Sequence, residues 1–533
     1  MTLLDVQNLS VAIHGTPILK SVDLSVAPGE IVAVTGESGS GKSMTALSVM
    51  GLLPQGATTT GSITLNDTAL LDQTEAQLCA IRGNDIGMVF QEPMTALNPV
   101  KTIGAQVAET ITIHEKVPRA QARARARDAL NRVGLPADRF PLSRYPHELS
   151  GGQRQRVVIA MAIALRPKLL IADEPTTALD VTTQANILDL LRDLVQDYDM
   201  GLLMITHDLA VVSDLADRIV VMRKGEVVES GETTALFQNM QHPYTRALFQ
   251  ASGHQVDLHQ RAPDQDQPLL SVQNVSRDYA LPRTSLFARQ QHFRAVKDVS
   301  FTIPQGGRVG LVGESGCGKS TLTRAILGLE RVQRGTIEID GEPVFTGHAA
   351  NLAVRRKVQV VFQDPYGSFN PRHTVARSVT EPFHLLETAP TGAERNTAIT
   401  QALTAVGLTA SDADKYIHEF SGGQRQRIAI ARALIIKPKL IVFDEAVSAL
   451  DVSIRAQILD LLAELSEEYA LSYLFISHDL SVVRTITDHV MVMQSGQIVE
   501  EGETETVFSA PQHDYTKTLI DAVPVLPALS HTA

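Results

Sequence analysis

The sequence predicts an α/β protein in which two similar domains stand in tandem. The segment GESGSGKS at 36–43 returns at 313–320 as GESGCGKS, and LSGGQRQR at 149–156 returns at 420–427 as FSGGQRQR. A repeat of this length indicates a duplicated domain rather than one unit of a solenoid. In each half, short apolar runs alternate with segments of helical spacing, which favours a largely parallel sheet.

Composition and charge exclude several classes of protein. The chain has 533 residues, of which 44% are hydrophobic, and its net charge of −12 argues against general binding of nucleic acid. Cys79 and Cys317 are its only cysteines, which excludes a disulfide scaffold and favours a reducing compartment. The sequence predicts neither a signal peptide nor a membrane-spanning segment. We therefore expect a cytoplasmic polypeptide.

The repeat divides the chain into two domains and a linker. We expect the first domain at 1–252 and the second at 269–533, joined by the polar and flexible segment 253–268. Each half opens with two strand-like runs, which predict an antiparallel β subdomain. The stretches from about 100 to 148 and from 372 to 419 have a helical composition and predict an α-helical subdomain in each half.

The glycine-rich segments predict two phosphate-binding loops. Each lies between an apolar strand, IVAVTG or VGLVG, and a helix, which is the setting that a P-loop requires. Backbone N–H groups of such a loop surround phosphates, and the helix N-terminus adds partial positive charge. Lys42 and Lys319 would reach the β- and γ-phosphates, while Ser43 and Ser320 would bind Mg²⁺. The other candidate nucleotide-binding residues of the loops are Gly36, Glu37, Ser38, Gly39, Ser40, Gly41, Gly313, Glu314, Ser315, Gly316, Cys317 and Gly318.

An acidic pair ends an apolar strand in each half, in LLIADEP and LIVFDEA. Asp173 and Asp444 stand where a carboxylate holds Mg²⁺ through water. Glu174 and Glu445 follow and would polarise the attacking water. An acidic pair at a strand end is by itself often a helix cap, but its position downstream of a P-loop favours a hydrolysis site.

A serine and two glycines open a helix in each half, in SGGQRQR. Serine at an N-cap is common for structural reasons alone, but two glycines directly after it are costly in a helix. Their presence is explained if the backbone must approach an anion. The candidate residues of these two segments are Ser150, Gly151, Gly152, Gln153, Ser421, Gly422, Gly423 and Gln424.

With these motifs, the chain resembles the ATP-binding cassette (ABC) ATPases over almost all of both halves. The resemblance implies a RecA-like fold with ATP and Mg²⁺ as cofactors. It also implies Q-loop glutamines that contact Mg²⁺ and a transmembrane partner, D-loop aspartates, and switch histidines at the γ-phosphate. These correspond in turn to Gln91 and Gln363, Asp180 and Asp451, and His207 and His478.

The family resemblance also implies a head-to-tail sandwich of the two cassettes. Lys42 would share one nucleotide with Ser421 and Gly423, and Lys319 would share the other with Ser150 and Gly152. Both composite sites keep their lysine, glutamate, histidine and signature, so neither is expected to be degenerate. For adenine stacking, the second half offers Tyr279, whereas the first offers only Ile13 and His14.

A second repeat narrows the resemblance within the family. QHPYTRAL at 241–248 is echoed by QHDYTKTL at 512–519, and such tails look like those of the bacterial peptide, nickel and glutathione importers, including their fused double ATPases. This implies two permease partners, a solute-binding protein and a place on the cytoplasmic face of the inner membrane. The alternative is a soluble tandem cassette protein acting on ribosomes or DNA. The short, lysine-poor linker and the two cysteines disfavour that alternative.

Overall fold

Each half of the chain folds into a six-stranded and a four-stranded sheet with helices packed around them, and the second half adds a two-stranded sheet. The computed structural model describes residues 2–91, 93–177, 179–256, 258, 264–281, 290–364, 367–448 and 450–527. Within the expected linker, 257 and 259–263 lie outside the described residues, and a strand already begins at Asp264. The linker bounds stay a prediction.

The first half contains ten strands, ten α-helices and a short 3-10 helix at Pro146–Glu148 among the described residues. The strands are β1 (Leu4–Ile13), β2 (Thr16–Val26), β3 (Ile31–Thr35), β4 (Ala57–Leu65), β5 (Thr68–Ala69), β6 (Ile86–Val89), β7 (Leu169–Asp173), β8 (Gly201–Ile205), β9 (Arg218–Arg223) and β10 (Glu226–Glu232). The helices are α1 (Lys42–Val49), α2 (Glu75–Ile81), α3 (Pro93–Ala96), α4 (Ile103–His114), α5 (Arg119–Arg132), α6 (Gly151–Ala162), α7 (Val181–Tyr198), α8 (Leu209–Leu215), α9 (Thr233–Gln238) and α10 (Pro243–Ser252).

The second half follows a similar order, with twelve strands and nine α-helices among the described residues. Its strands are β11 (Asp264–Ala280), β12 (His292–Gln305), β13 (Arg308–Val312), β14 (Arg334–Ile339), β15 (Glu342–Pro343), β16 (Phe345–Thr346), β17 (Ala349–Ala350), β18 (Val358–Val361), β19 (Leu440–Asp444), β20 (Ser472–Ile476), β21 (His489–Gln494) and β22 (Gln497–Glu503). Its helices are α11 (Lys319–Ile326), α12 (Leu352–Lys357), α13 (Val375–Val379), α14 (Gly392–Ala405), α15 (Gly422–Leu434), α16 (Val452–Glu468), α17 (Leu480–Ile486), α18 (Thr504–Ser509) and α19 (Asp514–Asp521).

A six-stranded sheet forms the centre of each half. Its order is β10-β9-β3-β8-β7-β6 in the first half and β22-β21-β13-β20-β19-β18 in the second. Only the outer pairs β9–β10 and β21–β22 are antiparallel. Every residue of β3, β7 and β8 is buried, as expected for parallel strands covered on both faces. The prediction of a largely parallel α/β sheet is confirmed.

This sheet order brings the motif-bearing segments to one edge. β3 leads into the glycine loop, β7 ends at Asp173, and β8 lies between them and leads towards His207. Because parallel strands end on the same side, the loops that follow them meet at the carboxyl edge, where α/β sheets bind ligands. The second half repeats this arrangement with β13, β19 and β20.

The two expected subdomains are present in each half. The antiparallel sheet has the order β2-β1-β4-β5 in the first half and β12-β11-β14-β15 in the second. α4 and α5 pack against each other and against α6, which carries the SGGQ segment at its start. Among the helices that the structure describes, none has the length and apolar character needed to span a membrane.

The halves contact each other through the segments that follow each cassette. α10 of the first half packs against α16 of the second, and α19 packs against α7. Val256 packs on the core of the second half, while Leu526 packs on the core of the first. His254 Nε2 also lies 2.7 Å from Asp460 Oδ1 across the same boundary. The segment that follows each cassette, its tail, therefore contacts both its own cassette and the opposite one.

Candidate nucleotide-binding sites

The lysine of the first glycine loop is buried and held by the loop itself. Lys42 begins α1 directly after Gly41, and its side-chain Nζ donates to Gly36 O at 2.6 Å and to Glu37 O at 2.9 Å. Burial lowers the pKa of Lys42, against the opposing influence of nearby carboxylates, of which Glu174 is the strongest. The ammonium group thus lies beside the loop whose backbone N–H groups are expected to bind phosphate.

The second glycine loop repeats this geometry. Lys319 Nζ donates to Gly313 O at 2.6 Å and to Glu314 O at 2.9 Å. Gly313 has a φ of 150°, and a Cβ there would lie 2.2 Å from the carbonyl oxygen of Met493. Gly36 is in the same position, with its Cβ 2.2 Å from Met222 O. Only glycine fits where each loop leaves its strand.

The loop serine and the strand-ending aspartate meet in the first half. Ser43 Oγ donates to Asp173 Oδ1 at 3.1 Å, and burial raises the pKa of Asp173. In the second half, burial and then the neighbouring Glu445 raise the pKa of Asp444. No hydrogen bond joins Ser320 to Asp444, both of which are described residues. A hydroxyl beside a carboxylate is a donor set suited to Mg²⁺.

Glu174 has three donors around its carboxylate. His207 Nδ1 lies 3.3 Å from Oε1, while Thr177 Oγ1 and Gln91 Nε2 each donate to Oε2 at 2.9 Å. Burial opposes ionisation, but the hydrogen bonds from His207, Thr177 and Gln91 outweigh it and lower the pKa of Glu174 to about 2. With a φ of 47°, Glu174 adopts the left-handed region directly after β7. A locally strained backbone thus aims this carboxylate.

Glu445 is held more loosely than its counterpart. His478 Nδ1 lies 3.5 Å from Oε1, and the pKa of Glu445 is lowered because His478 and Lys319 outweigh the effect of burial. Gln363, itself described, makes no hydrogen bond to Glu445, unlike Gln91 in the first half. The two sites share their residues but differ in the hydrogen bonds around the carboxylate.

Each SGGQ segment begins a helix, and its serine and glutamine cap the first turn. Ser150 Oγ accepts from Gln153 N at 3.4 Å, while Gln153 Oε1 accepts from Ser150 N at 3.0 Å. Ser421 and Gln424 make the same pair of bonds.

A Cβ on the second glycine of each segment would collide with the helix that follows the D-loop aspartate, which is α7 in the first half and α16 in the second. It would lie 2.2 Å from Cγ2 of Thr183 for Gly152, and 2.4 Å from Cγ2 of Ile454 for Gly423. Gly422 has open space around it. The first glycine is thus free to face a ligand, whereas the second is required by packing inside its own half.

Each D-loop reaches the glycine loop of the opposite half. Ser38 N donates to Asp451 Oδ1 at 2.8 Å, and Ser453 Oγ donates to Glu37 Oε1 at 2.9 Å. Of the two reciprocal contacts, the hydrogen bond from Ser315 N to Asp180 Oδ2 is longer than its counterpart, at 3.4 Å. Thr182 Oγ1 and Glu314 Oε1 lie 2.7 Å apart. These contacts run head to tail.

The adenine-stacking residue stays a prediction in both halves. The hydroxyl of Tyr279 donates to Glu330 Oε2 at 2.5 Å, and the guanidinium of Arg277 lies 4.8 Å from its ring centre. Phe293, which sequence reasoning did not name, pairs with Tyr279 across the strands and is 52% exposed. In the first half, the ring of His14 packs against Gly56.

Two tail tyrosines that sequence reasoning did not name contact the glycine loops. The hydroxyl of Tyr244 accepts from Glu37 N, and that of Tyr515 accepts from Glu314 N, each at 3.0 Å. The available signal was the repeated tyrosine of the tails, in PYTRAL and DYTKTL. The sequence could not show that these tails return to the glycine loops, because that contact is made between distant parts of the chain.

Comparison with known proteins matches both the cassettes and the tails. The family model described as ABC transporter matches residues 19–177 and 296–448. The model described as oligopeptide/dipeptide transporter, C-terminal region, matches 228–271 and 499–532.

Curated relatives align with nearly the whole chain. The glutathione import ATP-binding protein GsiA of Salmonella choleraesuis is 45% identical over 99% of this chain and 90% of its own length. GsiA of Escherichia coli O1:K1 is 44% identical over 98% of this chain and 90% of its own length. Among solved structures, the dimeric cassette MJ0796 bound to ADP and Pi is 29% identical, covers 44% of this chain and 98% of that chain, and has a TM-score of 0.39.

Proposed function

This chain belongs to the ABC transporter family, and from that membership we propose that it is a fused pair of cassettes serving one importer. The chain is an ATPase of the importer type. Each half carries a complete set of motif residues, and both halves align with one relative along its length. A single polypeptide would then supply both ATP sites, with domains at 1–252 and 269–533.

The reciprocal contacts between D-loops and glycine loops are the observation that carries this proposal. Asp451 accepts from Ser38 N, and Asp180 accepts from Ser315 N. Such contacts support a head-to-tail sandwich in which each nucleotide lies between the loop of one half and the signature of the other. We infer that ATP binding draws the halves together and that hydrolysis releases them, which is the motion that a permease would need.

The residues of each site divide the chemistry between them. Lys42 and Lys319 would hold the β- and γ-phosphates, where a point charge stabilises the developing negative charge. Glu174 and Glu445 would orient the attacking water, with His207 and His478 beside them. The low pKa of Glu174 supports an ionised carboxylate at neutral pH, able to accept a hydrogen bond from that water.

The residues present fit Mg²⁺. Ser43 Oγ and Asp173 Oδ1 lie 3.1 Å apart, and a hydroxyl with a carboxylate matches the oxygen donors that this cation takes. Ser320 and Asp444 occupy the equivalent positions in the second half. When bound, Mg²⁺ would neutralise phosphate charge. Gln91 and Gln363 would complete the site once the halves close.

The cargo that the comparisons favour is a small peptide. The curated relatives are named glutathione import proteins, and the tail model is named for oligopeptide and dipeptide transporters. We infer two permease subunits, a solute-binding protein outside the membrane, and a place for this chain on its cytoplasmic face. The alternative of a soluble protein acting on ribosomes or DNA is not supported, because both tails match the transporter model.

Reconstitution tests the proposal directly. The chain is assembled in liposomes with two candidate permease subunits of the peptide-importer type, and ATPase activity is measured with and without a glutathione-loaded or dipeptide-loaded binding protein. We expect cargo-dependent stimulation, and its loss when both Lys42 and Lys319 are replaced by alanine. A complex in which the chain binds no permease, or an ATPase indifferent to every small peptide, would contradict the proposal at the level of partner or cargo respectively.

A further inference from the structure

One peptide group of the first glycine loop is held at both ends. The carbonyl of Gly36 accepts from Lys42 Nζ at 2.6 Å. The N–H of Glu37 belongs to the same peptide group and donates to the hydroxyl of Tyr244 at 3.0 Å. Because both atoms lie in one plane, Tyr244 and Lys42 fix the orientation of the same peptide from opposite sides.

The second loop repeats this arrangement atom for atom. Gly313 O accepts from Lys319 Nζ at 2.6 Å, and Glu314 N donates to the hydroxyl of Tyr515 at 3.0 Å. The loop and the tail are separated by about two hundred residues in each half. Equal geometry in the two copies indicates a built contact rather than an accident of one surface.

The tail holds its tyrosine firmly. Tyr244 is 7% exposed, and the guanidinium of Arg223 lies 4.8 Å from its ring centre. Its helix α10 is capped by His242, whose Nδ1 accepts from Tyr244 N at 3.1 Å. Glu229 of β10 in turn accepts from the backbone of Gln241 and His242, at 2.7 and 3.1 Å. Tyr244 is thus tied to the sheet that carries the loop.

The same tail helix also contacts the other cassette. α10 packs against α16, and α16 begins directly after Asp451, whose Oδ1 accepts from Ser38 N at 2.8 Å. The N–H groups of Glu37 and Ser38 follow each other in the loop. The first therefore donates to the tail of its own half, and the second donates to the D-loop of the other half. The orientation of the glycine loop depends on both at once.

We propose that Tyr244 and Tyr515 are positioning residues of the two ATP sites. Each tyrosine holds the peptide group that anchors the loop lysine, so that ATP affinity depends on a tail outside the cassette core. The inference rests on the phosphate role proposed for Lys42 and Lys319. Hydrogen bonds at the two ends of one amide reinforce each other by polarising it, so losing the tyrosine hydroxyl loosens the lysine as well.

The test uses the two sites of one chain as controls for each other. In a Lys319→Ala chain, titration with an ATP analogue that cannot be hydrolysed reports the site of Lys42. There, Tyr244→Phe is expected to weaken binding by about threefold to tenfold, the effect of one hydrogen bond, whereas Tyr515→Phe leaves it within about twofold. In a Lys42→Ala chain the effects of the two variants exchange. Phenylalanine keeps the ring and its packing, so melting temperatures are recorded for every variant.

The outcomes separate this inference from the proposed function. A site-specific loss of affinity that exchanges between backgrounds, with melting temperatures little changed, supports the positioning role. Unchanged affinity in both tyrosine variants, or equal effects on both sites, overturns it and leaves the tyrosines as packing residues. Failure of the lysine variants to remove one bound nucleotide each would instead contradict the site assignment. Tyr198→Phe, at the far end of α7, controls for loss of a phenol hydroxyl.

Discussion

Replacing Gly152 by alanine tests how the signature helix packs against the D-loop helix. A Cβ on Gly152 would lie 2.2 Å from Cγ2 of Thr183, whereas a Cβ on Gly151 has its nearest neighbour at 3.8 Å, on Leu179. Neither glycine has a positive φ. The two variants therefore add the same methyl group to neighbouring helix positions, and only one of them forces a neighbour to move.

The expected loss follows from two opposing effects. Overpacking a well-filled contact costs about 1–3 kcal/mol, and alanine recovers about 0.5–1 kcal/mol over glycine in a helix. Together these ranges give Gly152→Ala a loss of up to about 2.5 kcal/mol in the free energy of unfolding. Their midpoints give about 1 kcal/mol, which is about 2–4 °C in the melting temperature of a domain this size. Gly151→Ala should leave the melting temperature unchanged or raise it slightly.

The same substitution should reach the opposite nucleotide site. Thr183 N donates to Asp180 Oδ1 at 3.0 Å, and Asp180 Oδ2 accepts from Ser315 N in the other loop at 3.4 Å. A displaced Thr183 moves this aspartate, so ATP affinity should fall at the site of Lys319 more than at that of Lys42. Adding Thr183→Ser removes the colliding methyl and should restore both stability and affinity.

Calorimetry tests whether the methyl group added at residue 152 collides with Thr183. It compares four chains: wild type, Gly151→Ala, Gly152→Ala, and Gly152→Ala with Thr183→Ser. Nucleotide titration of the same chains follows the affinities. Equal melting temperatures for the two single alanine variants would refute the packing argument. If Thr183→Ser does not restore the melting temperature of the Gly152→Ala chain, the added methyl group collides with a group other than Cγ2 of Thr183.

Three further predictions concern the carboxylates and the adenine contact. Glu174→Gln with Glu445→Gln should bind ATP but lower turnover by about 10²–10⁴-fold, since a general base is lost; near-normal turnover in a phosphate-release assay would remove both glutamates from that role. Because the pKa of Glu174 is lowered to about 2 from 4.5, its ionised form stabilises the fold above pH 4.5, and this contribution is lost as pH falls towards 2. Urea unfolding should therefore show the difference between wild type and Glu174→Gln shrinking below pH 4.5, and a constant difference would contradict the hydrogen-bond network. If Tyr279 stacks on adenine, ATP should bind less tightly at the site of Lys42 than at that of Lys319, by less than about tenfold; equal affinities in the two lysine variants would falsify this asymmetry.

Local sequence patterns were sufficient for the elements that form each site. The apolar run before Asp173 predicted a strand, and that residue ends β7. Serine before two glycines predicted a helix start, and Ser150 is the N-cap of α6. These features depend on strand burial, helix capping and glycine conformation, all of which act over a few residues.

Other features depended on contacts between distant segments and could not be inferred from spacing. The glycine pair of each signature was interpreted as a way to approach an anion, yet Gly152 and Gly423 are also required because Thr183 and Ile454 pack against them. The segments VFQEP and VFQDP give both glutamines the same expected role, but only Gln91 donates a hydrogen bond to the glutamate of its own site. Such differences arise from where whole helices and strands settle against one another.

The amino-acid sequence by itself determined the duplicated architecture, the two motif sets and the family resemblance, because glycine loops, strand ends and helix caps are encoded locally. Only the tertiary structure decided that the tails return to the loops. Tyr244 and Glu37 are 207 residues apart, yet they share a hydrogen bond of 3.0 Å. Asp451 and Ser38 are 413 apart and belong to different halves. Both contacts depend on the packing of complete domains, because the burial of many side chains together selects one arrangement. No short segment of the sequence contains that information.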